Sequence, residues 1–273
     1  MHNSPHIALI FVHYFTPKLL ETALLSVIAD LENEHYQYEI MVVNNGGDLN
    51  DLSDKIAFQN IVKWIHPLTN TGYAGGVNLG ISKSNADYFI ISNPDVLFCA
   101  GAIKALVEPL VKGQAVATGP QLFLDKKKQF KLPPLEPFTA TAILLRQLAP
   151  YSHIFAKYWR KRWQRDTYQH WLATKPINSY QLSGAVMGIE RGVWEELDGF
   201  DEKYPLYFEE TDWLMRLKKS KQAALFIPNA EVIHFYNQSA AHEKRAAEWY
   251  RVSERRFFKK HFSRLFLYPL RLL

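Results

Sequence analysis

Apolar and polar positions follow two alternating patterns along the first half of the chain. Short apolar runs with turn residues at their ends are typical of buried strands: HIALIFVHY, YEIMVVNN, IVKWIH, ADYFIISNPDV and QAVATGP. Amphipathic segments separate these runs, and the first has a capping threonine and a proline that predict a helix from Pro17 to about Leu31. The pattern predicts an α/β fold in which parallel strands, joined by helices, form an open, doubly wound sheet.

Polar and glycine residues follow several of these predicted strands. NNGG begins at Asn44, and NPDV spans Asn93 to Val96. Both motifs also suit simple turns or strand ends. Because ligands of doubly wound sheets bind outside the carboxyl ends of the strands, we expect a ligand site there.

The segment from Ser183 to Ser239 carries the densest chemical signal. Glu209, Glu210 and Asp212 lie at the start of a predicted helix, and His234 follows the predicted strand AALFIPNAEVI. Carboxylates and a histidine that converge from separate strand ends suit a divalent-metal site with a general base. Acids also favour a helix start through its dipole, and a lone histidine after a strand is often structural. Together with NPDV, the pattern favours an enzyme that acts on a phosphorylated substrate.

Composition narrows the class of protein. The chain has 273 residues, of which 48% are hydrophobic, and its single cysteine excludes an internal disulfide. The first residues lack the pattern of a secretory signal, and no apolar run reaches the ~18 residues that a membrane span needs. We therefore expect a cytoplasmic protein that is neither a channel nor an integral membrane synthase.

Charge is unevenly distributed. Residues 126–165 contain ten basic residues and one acidic residue, and residues 241–273 contain nine basic and three acidic residues. The net charges of +9 and +6 exceed the +5 of the whole chain, so the remaining residues are acidic overall. Two basic appendages suggest an anionic partner, such as a phospholipid surface or a polyprenyl-phosphate-linked acceptor. No nucleic acid is expected, because no recognised binding module accompanies the basic residues.

Six motifs in this order carry a family resemblance: VVNN, NTGYAGGVNLGI, NPDV, SGAVMGIERGVWEELDGFDE, FEETDW and VIHFYNQS. The set resembles family 2 glycosyltransferases of the GT-A fold, especially the rhamnosyltransferase-like branch of bacterial surface polysaccharide assembly. The resemblance covers about Ile7 to Ser239, apart from the basic segment between Phe123 and Asn178. It implies a Rossmann-like, mostly parallel central sheet flanked by helices, and a C-terminal helical basic tail.

The resemblance implies a domain layout. A GT-A domain would span residues 1–240, with a nucleotide-sugar half at about 1–120 and an acceptor half at about 178–240. A basic insertion would occupy about 124–177, and a basic amphipathic tail would occupy 241–273.

The resemblance also implies a cofactor site. In NPDV, Asp95 would bind Mg²⁺ or Mn²⁺ at the donor diphosphate, and Asn93 would lie near the ribose or a phosphate. Carboxylate oxygen is the ligand that such hard cations prefer. His234 would reach the same metal or the diphosphate.

In FEETDW, the family usually shows E-D-x-D, whose second residue is the catalytic base. Glu210 takes that position here, and Glu209 would contact substrate. The longer Glu in place of Asp leaves Glu210 and Asp212 both as candidates for the base.

Further residues would bind the substrates. At VVNN, Asn44 stands where relatives commonly have Asp, so contact with the nucleotide would be weaker, and Asn45 would share it. The remaining substrate-binding positions are Asn70, Gly72 and Asn78 in the glycine-rich motif, Gly184 in SGAVMG, and Asp201 in GFDE. The glycines equally allow close packing of a helix on a strand.

The implied reaction is an inverting, metal-dependent transfer of a sugar from a nucleotide-diphospho-sugar of the dTDP-rhamnose or UDP-hexose type. The acceptor would be a hydroxyl of a growing, lipid-linked bacterial surface glycan. One alternative is a non-catalytic homologue that binds within a glycan-assembly complex, and a weaker alternative is a hydrolase of nucleotide sugars.

Two segments interleave aromatic and basic residues, FAKYWRKRWQRDTYQHW and the C-terminal tail. In the tail, Phe258, Phe262, Leu265 and Phe266 fall on one helical face. Each segment suits either an interfacial helix that holds the protein at the inner face of the cell membrane, or a helix docked on the core.

Overall fold

The computed structural model describes residues 4–32, 36–135, 139–235 and 245–262. The strands are β1 (His6–His13), β2 (Gln37–Asn44), β3 (Val62–Ile65), β4 (Tyr88–Ser92), β5 (Val96–Phe98), β6 (Ala117–Phe123), β7 (Ile177–Asn178), β8 (Val186–Glu190) and β9 (Ala224–His234). The α-helices are α1 (Pro17–Leu31), α2 (Asn50–Ser53), α3 (Gly72–Ser82), α4 (Ala102–Val111), α5 (Ala140–Leu148), α6 (His153–Trp171), α7 (Arg191–Glu196), α8 (Glu209–Lys219) and α9 (Ala246–His261). Short 3₁₀ turns lie at Ile56–Phe58 and Ala149–Tyr151.

One sheet runs through this part of the chain in the order β3-β2-β1-β4-β8-β6-β9-β5, with β7 also paired to β9. Strands β3, β2, β1 and β4 are parallel, and β6 and β9 are parallel to each other. Strand β8 is antiparallel to both β4 and β6, and β5 and β7 are antiparallel to β9. The prediction of a mostly parallel α/β sheet flanked by helices is confirmed.

Strand β1 is buried on both faces, as expected for a central parallel strand. Ile7, Leu9 and Phe11 belong to the core shared with α1 and α4. The alternate residues, including Ile10, belong to the opposite core layer with α3, α7 and α8. Burial of each large apolar side chain contributes about 1.5–3 kcal/mol, so the strand anchors both layers.

Helix α3 begins inside the glycine-rich motif, at Gly72, whereas the sequence reading placed the helix after the motif. Close packing explains the difference. A Cβ at Gly76 would lie 2.8 Å from Val12, and one at Gly80 would lie 2.6 Å from Ile10. The glycines therefore let α3 approach β1 more closely than any side chain would permit.

The run ADYFIISNPDV predicts a strand that stops at Pro94, and β4 ends two residues before that proline. Strand β4 ends at Ser92, and β5 begins at Val96 and pairs with β9 in the antiparallel sense. Pro94 has no backbone N–H to donate to a ladder, which suits the break between the two strands. The NPD residues thus form the corner between β4 and β5.

Helix α9 packs on the core. Phe257 and Phe258 are fully buried and form an apolar cluster with Tyr204 and Phe208, against which Phe262 also packs. The predicted face also included Leu265 and Phe266, which lie outside the described residues. Within residues 245–262, the aromatic face therefore lies against protein and not at a membrane. No helix in the described ranges combines the length and apolar content that a membrane crossing requires.

Candidate active site

Asp95 and His234 meet at the corner after β4. Val96 pairs with His234, which places Asp95 beside the end of β9. The backbone N–H of Phe235 donates to the Asp95 carbonyl at 2.9 Å, and this bond fixes the corner. The His234 Nε2 atom lies 3.4 Å from Asp95 Oδ1, and both side chains are buried. Two residues 139 positions apart in the chain thus form one polar pair.

The first turn of α8 carries the two predicted glutamates. Tyr207 and Phe208, just before the helix, both have positive φ angles, so the chain turns sharply before Glu209. Glu209 is 3% exposed, and its Oε2 atom has no hydrogen-bond partner among the described residues. Burial raises the pKa of Glu209, and the neighbouring Glu210 charge raises it further. Both effects disfavour the charged form of Glu209.

Glu210 is partly exposed and lies against Gly184. A Cβ at Gly184 would come within 2.9 Å of Glu210 Cγ, so only glycine leaves room for this side chain. Burial raises the pKa of Glu210, and backbone N–H groups at the helix start lower it. A carboxylate with a raised pKa and an open side is suited to accept a proton from a bound hydroxyl.

Tyr73 joins these groups, although the sequence reading did not single it out. Its hydroxyl donates to the Gly184 carbonyl at 2.8 Å. Burial raises the pKa of Tyr73, and the charges of Glu209, Glu210 and Asp95 raise it further. The tyrosine therefore remains a neutral donor, and its proton is engaged by the Gly184 carbonyl. The sequence feature that could have indicated a role for Tyr73 is its position inside the glycine-rich motif.

Asp212, the other candidate base, points away from this cluster. It is fully buried and accepts hydrogen bonds from Tyr204, Arg216, Lys260 and His261. The His261 and Lys260 side chains hold the pKa of Asp212 far below its usual range, even though burial opposes them. Four donors occupy the carboxylate oxygens of Asp212, so this side chain anchors α8 to the residues around it.

Asp201 also faces α9. Its Oδ2 atom lies 2.6 Å from Arg256 Nη2 and 2.9 Å from Lys260 Nζ. These two cations lower the pKa of Asp201 against the effect of its burial. The carboxylate that the sequence reading assigned to acceptor or sugar contact is thus engaged in holding the helix.

Asn44 closes its own turn and orients His13. Its side-chain amide donates to Gly47 O at 3.0 Å, and its Oδ1 atom lies 3.0 Å from His13 Nδ1. Since His13 Nε2 accepts from the Thr16 N–H at 2.9 Å, Nδ1 carries the proton and donates to Asn44. Burial lowers the pKa of His13, which fits this neutral tautomer. Both polar ends of Asn44 are occupied within the protein.

Asn45 links the ends of β2 and the glycine-rich motif. Its Oδ1 atom accepts from Thr71 N and Thr71 Oγ1, and its Nδ2 donates to Gly72 O at 2.7 Å. Asn70 Oδ1 accepts from the Gly72 N–H at 2.8 Å, and Gly72 has a φ of +72°. Asn45, Asn70 and Gly72 therefore build one loop beside the sheet edge, and their backbone remains accessible.

Asn78 and Asn93 lie on either side of the acidic cluster. Asn78 bonds through both ends of its amide to the backbone of Phe200, and its Nδ2 atom also donates to Glu202. The Asn93 N–H donates to Ala185 O at 2.8 Å, next to Gly184. Asn78 thus ties α3 to the GFDE loop, whereas Asn93 adjoins the predicted site.

The structure therefore divides the predicted residues into two groups. One cluster, which we call the acid-pocket cluster, consists of Tyr73, Asp95, Gly184, Glu209, Glu210 and His234. The other carboxylates, Asp201 and Asp212, face α9. In the described ranges, no three His, Cys, Asp or Glu side chains converge as a complete metal cage.

Asp95 and His234 alone still fit a divalent cation. A buried carboxylate oxygen and an imidazole nitrogen 3.4 Å apart can share one ion, and cations that bind nucleotides take further ligands from phosphates and water.

Comparison with known proteins identifies the family of this chain. A family model, Glycosyl transferase family 2, matches residues 9–187. N-acetylglucosaminyl-diphospho-decaprenol L-rhamnosyltransferase from two strains of Mycobacterium tuberculosis is 28% identical over 178 residues, which is 60% of this chain and 56% of the relative. The chain therefore spans just over half the length of these curated relatives.

Two solved structures share the fold. GalNAc-T7 with UDP, GalNAc and Mn²⁺ superposes with a TM-score of 0.63 at 17% identity, over 86% of this chain and 45% of that one. The mannosyltransferase PcManGT from Pyrobaculum calidifontis, with GDP-Man and Mn²⁺, gives 0.58 at 13% identity, over 95% of this chain and 64% of that one. The neighbours share the GT-A fold, and the matched model covers more than half of the chain, so this chain belongs to glycosyl transferase family 2.

Proposed function

We propose that this protein transfers a sugar from a nucleotide-diphospho-sugar, of the dTDP-rhamnose or UDP-hexose type, to a hydroxyl of a lipid-linked bacterial surface glycan. The named relatives are rhamnosyltransferases whose acceptor is N-acetylglucosaminyl-diphospho-decaprenol. The observation that carries the proposal is the acid-pocket cluster, in which Asp95 pairs with His234 and Glu210 lies against Gly184. The two parts meet where the Asn93 N–H, in the same corner as Asp95, donates to Ala185 O, next to Gly184. Such a transfer would take place in the cytoplasm, where nucleotide sugars are available.

Glu210 acts as the general base in this proposal. Its carboxylate takes the proton of the acceptor hydroxyl, and that oxygen attacks the anomeric carbon of the donor sugar. The bond from the anomeric carbon to the diphosphate oxygen breaks on the opposite side, so the configuration inverts and a nucleoside diphosphate leaves. Its raised pKa brings Glu210 closer to the working pH and strengthens it as a base.

The neighbouring residues hold the donor. Asp95 and His234 would bind Mg²⁺ or Mn²⁺, which would offset the negative charge of the leaving diphosphate when bound. The loop of Asn45, Asn70 and Gly72 would lie along the nucleotide, with Asn93 and Gly184 toward the sugar. The buried Glu209 would support Glu210, while Asp212 and Asp201 keep α8 and its preceding loop in place.

Ligand-dependent unfolding tests the donor site. Thermal unfolding would be measured with Mn²⁺ or Mg²⁺ and each of UDP, dTDP, GDP and CMP, with and without chelator. At about 100 times its dissociation constant, a ligand stabilises the fold by about 2.7 kcal/mol, which raises the midpoint by several degrees. We expect a metal-dependent rise with one pyrimidine diphosphate.

A matched pair of variants locates that effect. Asp95→Asn should abolish the rise, whereas Asp54→Asn, which removes an exposed carboxylate, should retain it. No rise with any nucleotide in the folded protein would contradict the proposal and favour a binding subunit. Sugar release that is brisk without acceptor would instead indicate a hydrolase.

A further inference from the structure

Helix α6, within the basic insertion, turns large apolar and aromatic side chains toward solvent. Ile154, Tyr158, Tyr168 and Leu172 are 65%, 60%, 53% and 75% exposed. At 100° per residue these four positions fall within about 80° of one another, so they form a single stripe along the helix and its C-cap residue. We call this stripe the α6 outer face.

The opposite side of α6 packs on the protein through three polar residues and through Trp159 and Trp163, which are partly buried. Asp166, Thr167 and His170 are each less than 9% exposed. His170 Nε2 lies 2.8 Å from Ser179 Oγ, and its Nδ1 lies 2.7 Å from Asp166 O, so the polar side is satisfied inside the protein. A helix that faces water normally buries its apolar side and exposes its polar side. On α6, by contrast, four large apolar or aromatic side chains are exposed while three polar side chains are buried.

Positive charge borders the stripe. Lys157 and Lys161 are exposed and have no acidic partner among the residues that the structure describes. Arg165 is also exposed, although it bonds to Asp166. Asp166 is the sole acidic residue in the sequence of α6, and it is buried. The α6 outer face therefore combines aliphatic and aromatic groups with cations, without exposed negative charge.

We propose that the α6 outer face lies on the surface of an anionic phospholipid membrane. A bilayer provides the two kinds of partner that this face needs. Its apolar layer would accept Ile154 and Leu172, and its negative head groups would attract Lys157 and Lys161. A second copy of the chain would bring like charges together, and nucleic acid would leave the aliphatic groups without a partner. Tyrosine suits the boundary between head groups and acyl chains.

The contact has a consequence for the acceptor, which rests on the proposed function. His170 of α6 bonds to Ser179, and five residues later the chain reaches Gly184, beside Glu210. A membrane on the α6 outer face would therefore lie on the same segment that leads to the base. A lipid-linked acceptor would then reach the site without leaving the bilayer.

Vesicle co-sedimentation of the full chain tests the contact without any sugar. The probes are vesicles of equal parts phosphatidylglycerol and phosphatidylcholine, and vesicles of phosphatidylcholine alone. We expect binding to the anionic vesicles that weakens as salt rises from 0.05 to 0.5 M, because head-group attraction is screened.

Three double variants locate the contact. Lys157→Gln with Lys161→Gln should weaken binding about thirtyfold, since each lysine near an anionic surface contributes about a factor of five. Ile154→Ser with Leu172→Ser should weaken it about tenfold, also at high salt. Arg255→Gln with Lys259→Gln makes the same charge change on exposed positions of α9 and should leave binding within about threefold.

Several results would overturn the proposal. These are absence of vesicle binding by the folded wild-type chain, equal loss in the α9 variant, or unchanged binding in both α6 variants. A dimer that the α6 changes convert to monomer would assign the face to a second copy. Every readout here is vesicle binding and not sugar transfer. The membrane contact can therefore be confirmed even if the proposed transferase activity is wrong, and it can be wrong even if that activity is confirmed.

Discussion

Glu210 and Asp212 lie two residues apart on helix α8, yet their surroundings are opposite. Glu210 is partly exposed beside Gly184, and burial raises its pKa. Asp212 is fully buried among cations, which lower its pKa. A helix turns about 200° over two residues, so the two acids face different parts of the protein.

The difference shows how one short acidic motif can serve two purposes. Asp212 binds α8 to Lys260 and His261 of α9 and to Arg216 of its own helix. This attachment holds the first turn of α8, and thus Glu210, in a fixed place at the acid-pocket cluster. In the proposed mechanism, Glu210, which has few partners, performs the chemistry, and Asp212, which has many, supports the helix.

The largest expected effect follows Glu210→Gln. Loss of the base should reduce kcat/KM about 10³-fold, because general base catalysis contributes about 10²–10⁴. The thermal midpoint should stay the same or rise, since a carboxylate whose pKa is raised in the folded state opposes folding at neutral pH. Sugar transfer and thermal unfolding would be measured on the same preparation. Transfer at the wild-type rate would exclude Glu210 as the base.

Asp212→Asn should act mainly on stability. Removal of the charge leaves His261 and Arg216 without a carboxylate and Lys260 with Asp201 alone, which should lower the free energy of unfolding by about 3 kcal/mol. Urea titration measures that loss, and kcat corrected for the folded fraction should fall less than tenfold. A stable but inactive Asp212→Asn variant would make Asp212 the base instead.

The pH dependence of kcat/KM should distinguish the two acids next. The base must be ionised, so activity should rise tenfold per pH unit below its pKa and then level off. Because the pKa of Glu210 is raised, this limb should lie above the ordinary glutamate range of about 4.3. Asp212→Asn should keep the same limb. A limb below pH 4 would point to Asp212, whose pKa is lowered.

The smallest effect is expected for Arg256→Gln. Arg256 bonds to Asp201, and about a third of its side chain is exposed, so the loss should not exceed about 1 kcal/mol. Lys260 still bonds to Asp201 in this variant. Urea titration of Arg256→Gln and Asp212→Asn under the same conditions would compare the contributions of these two α9 contacts to the free energy of unfolding. A loss in Arg256→Gln as large as that in Asp212→Asn would contradict the expected order.

Much of the fold was predictable from apolar patterning. Helix α1 ends at the predicted Leu31, and the runs assigned to β1, β2, β3 and β6 all form strands. The corner at NPD was harder to predict. The proline indicates where β4 ends, but it does not indicate that residues 96–98 pair with β9. The start of α3 was also missed, since close packing on β1 outweighs the low helix propensity of glycine.

The sequence predicted which polar residues lie at the site better than it predicted which of them contact one another. The pairing of Asp95 with His234 follows the prediction that both would meet one metal ion, which itself stays a prediction. The partners of Asp201 and Asp212 come from α9, about 50 residues along the chain, and no local pattern shows that α9 docks there. Tyr73 was missed because its role depends on a carbonyl 111 residues away.

The contact between Gly184 and Glu210 links two positions that a protein engineer would otherwise vary separately. A methyl group at 184 has no room while a glutamate stands at 210, because its carbon would approach Cγ to 2.9 Å. Aspartate at 210 would keep both Cβ and Cγ, so shortening the acid by one methylene would not relieve this contact. A library that seeks a new acceptor preference should therefore hold glycine at 184 in every variant that keeps an acid at 210.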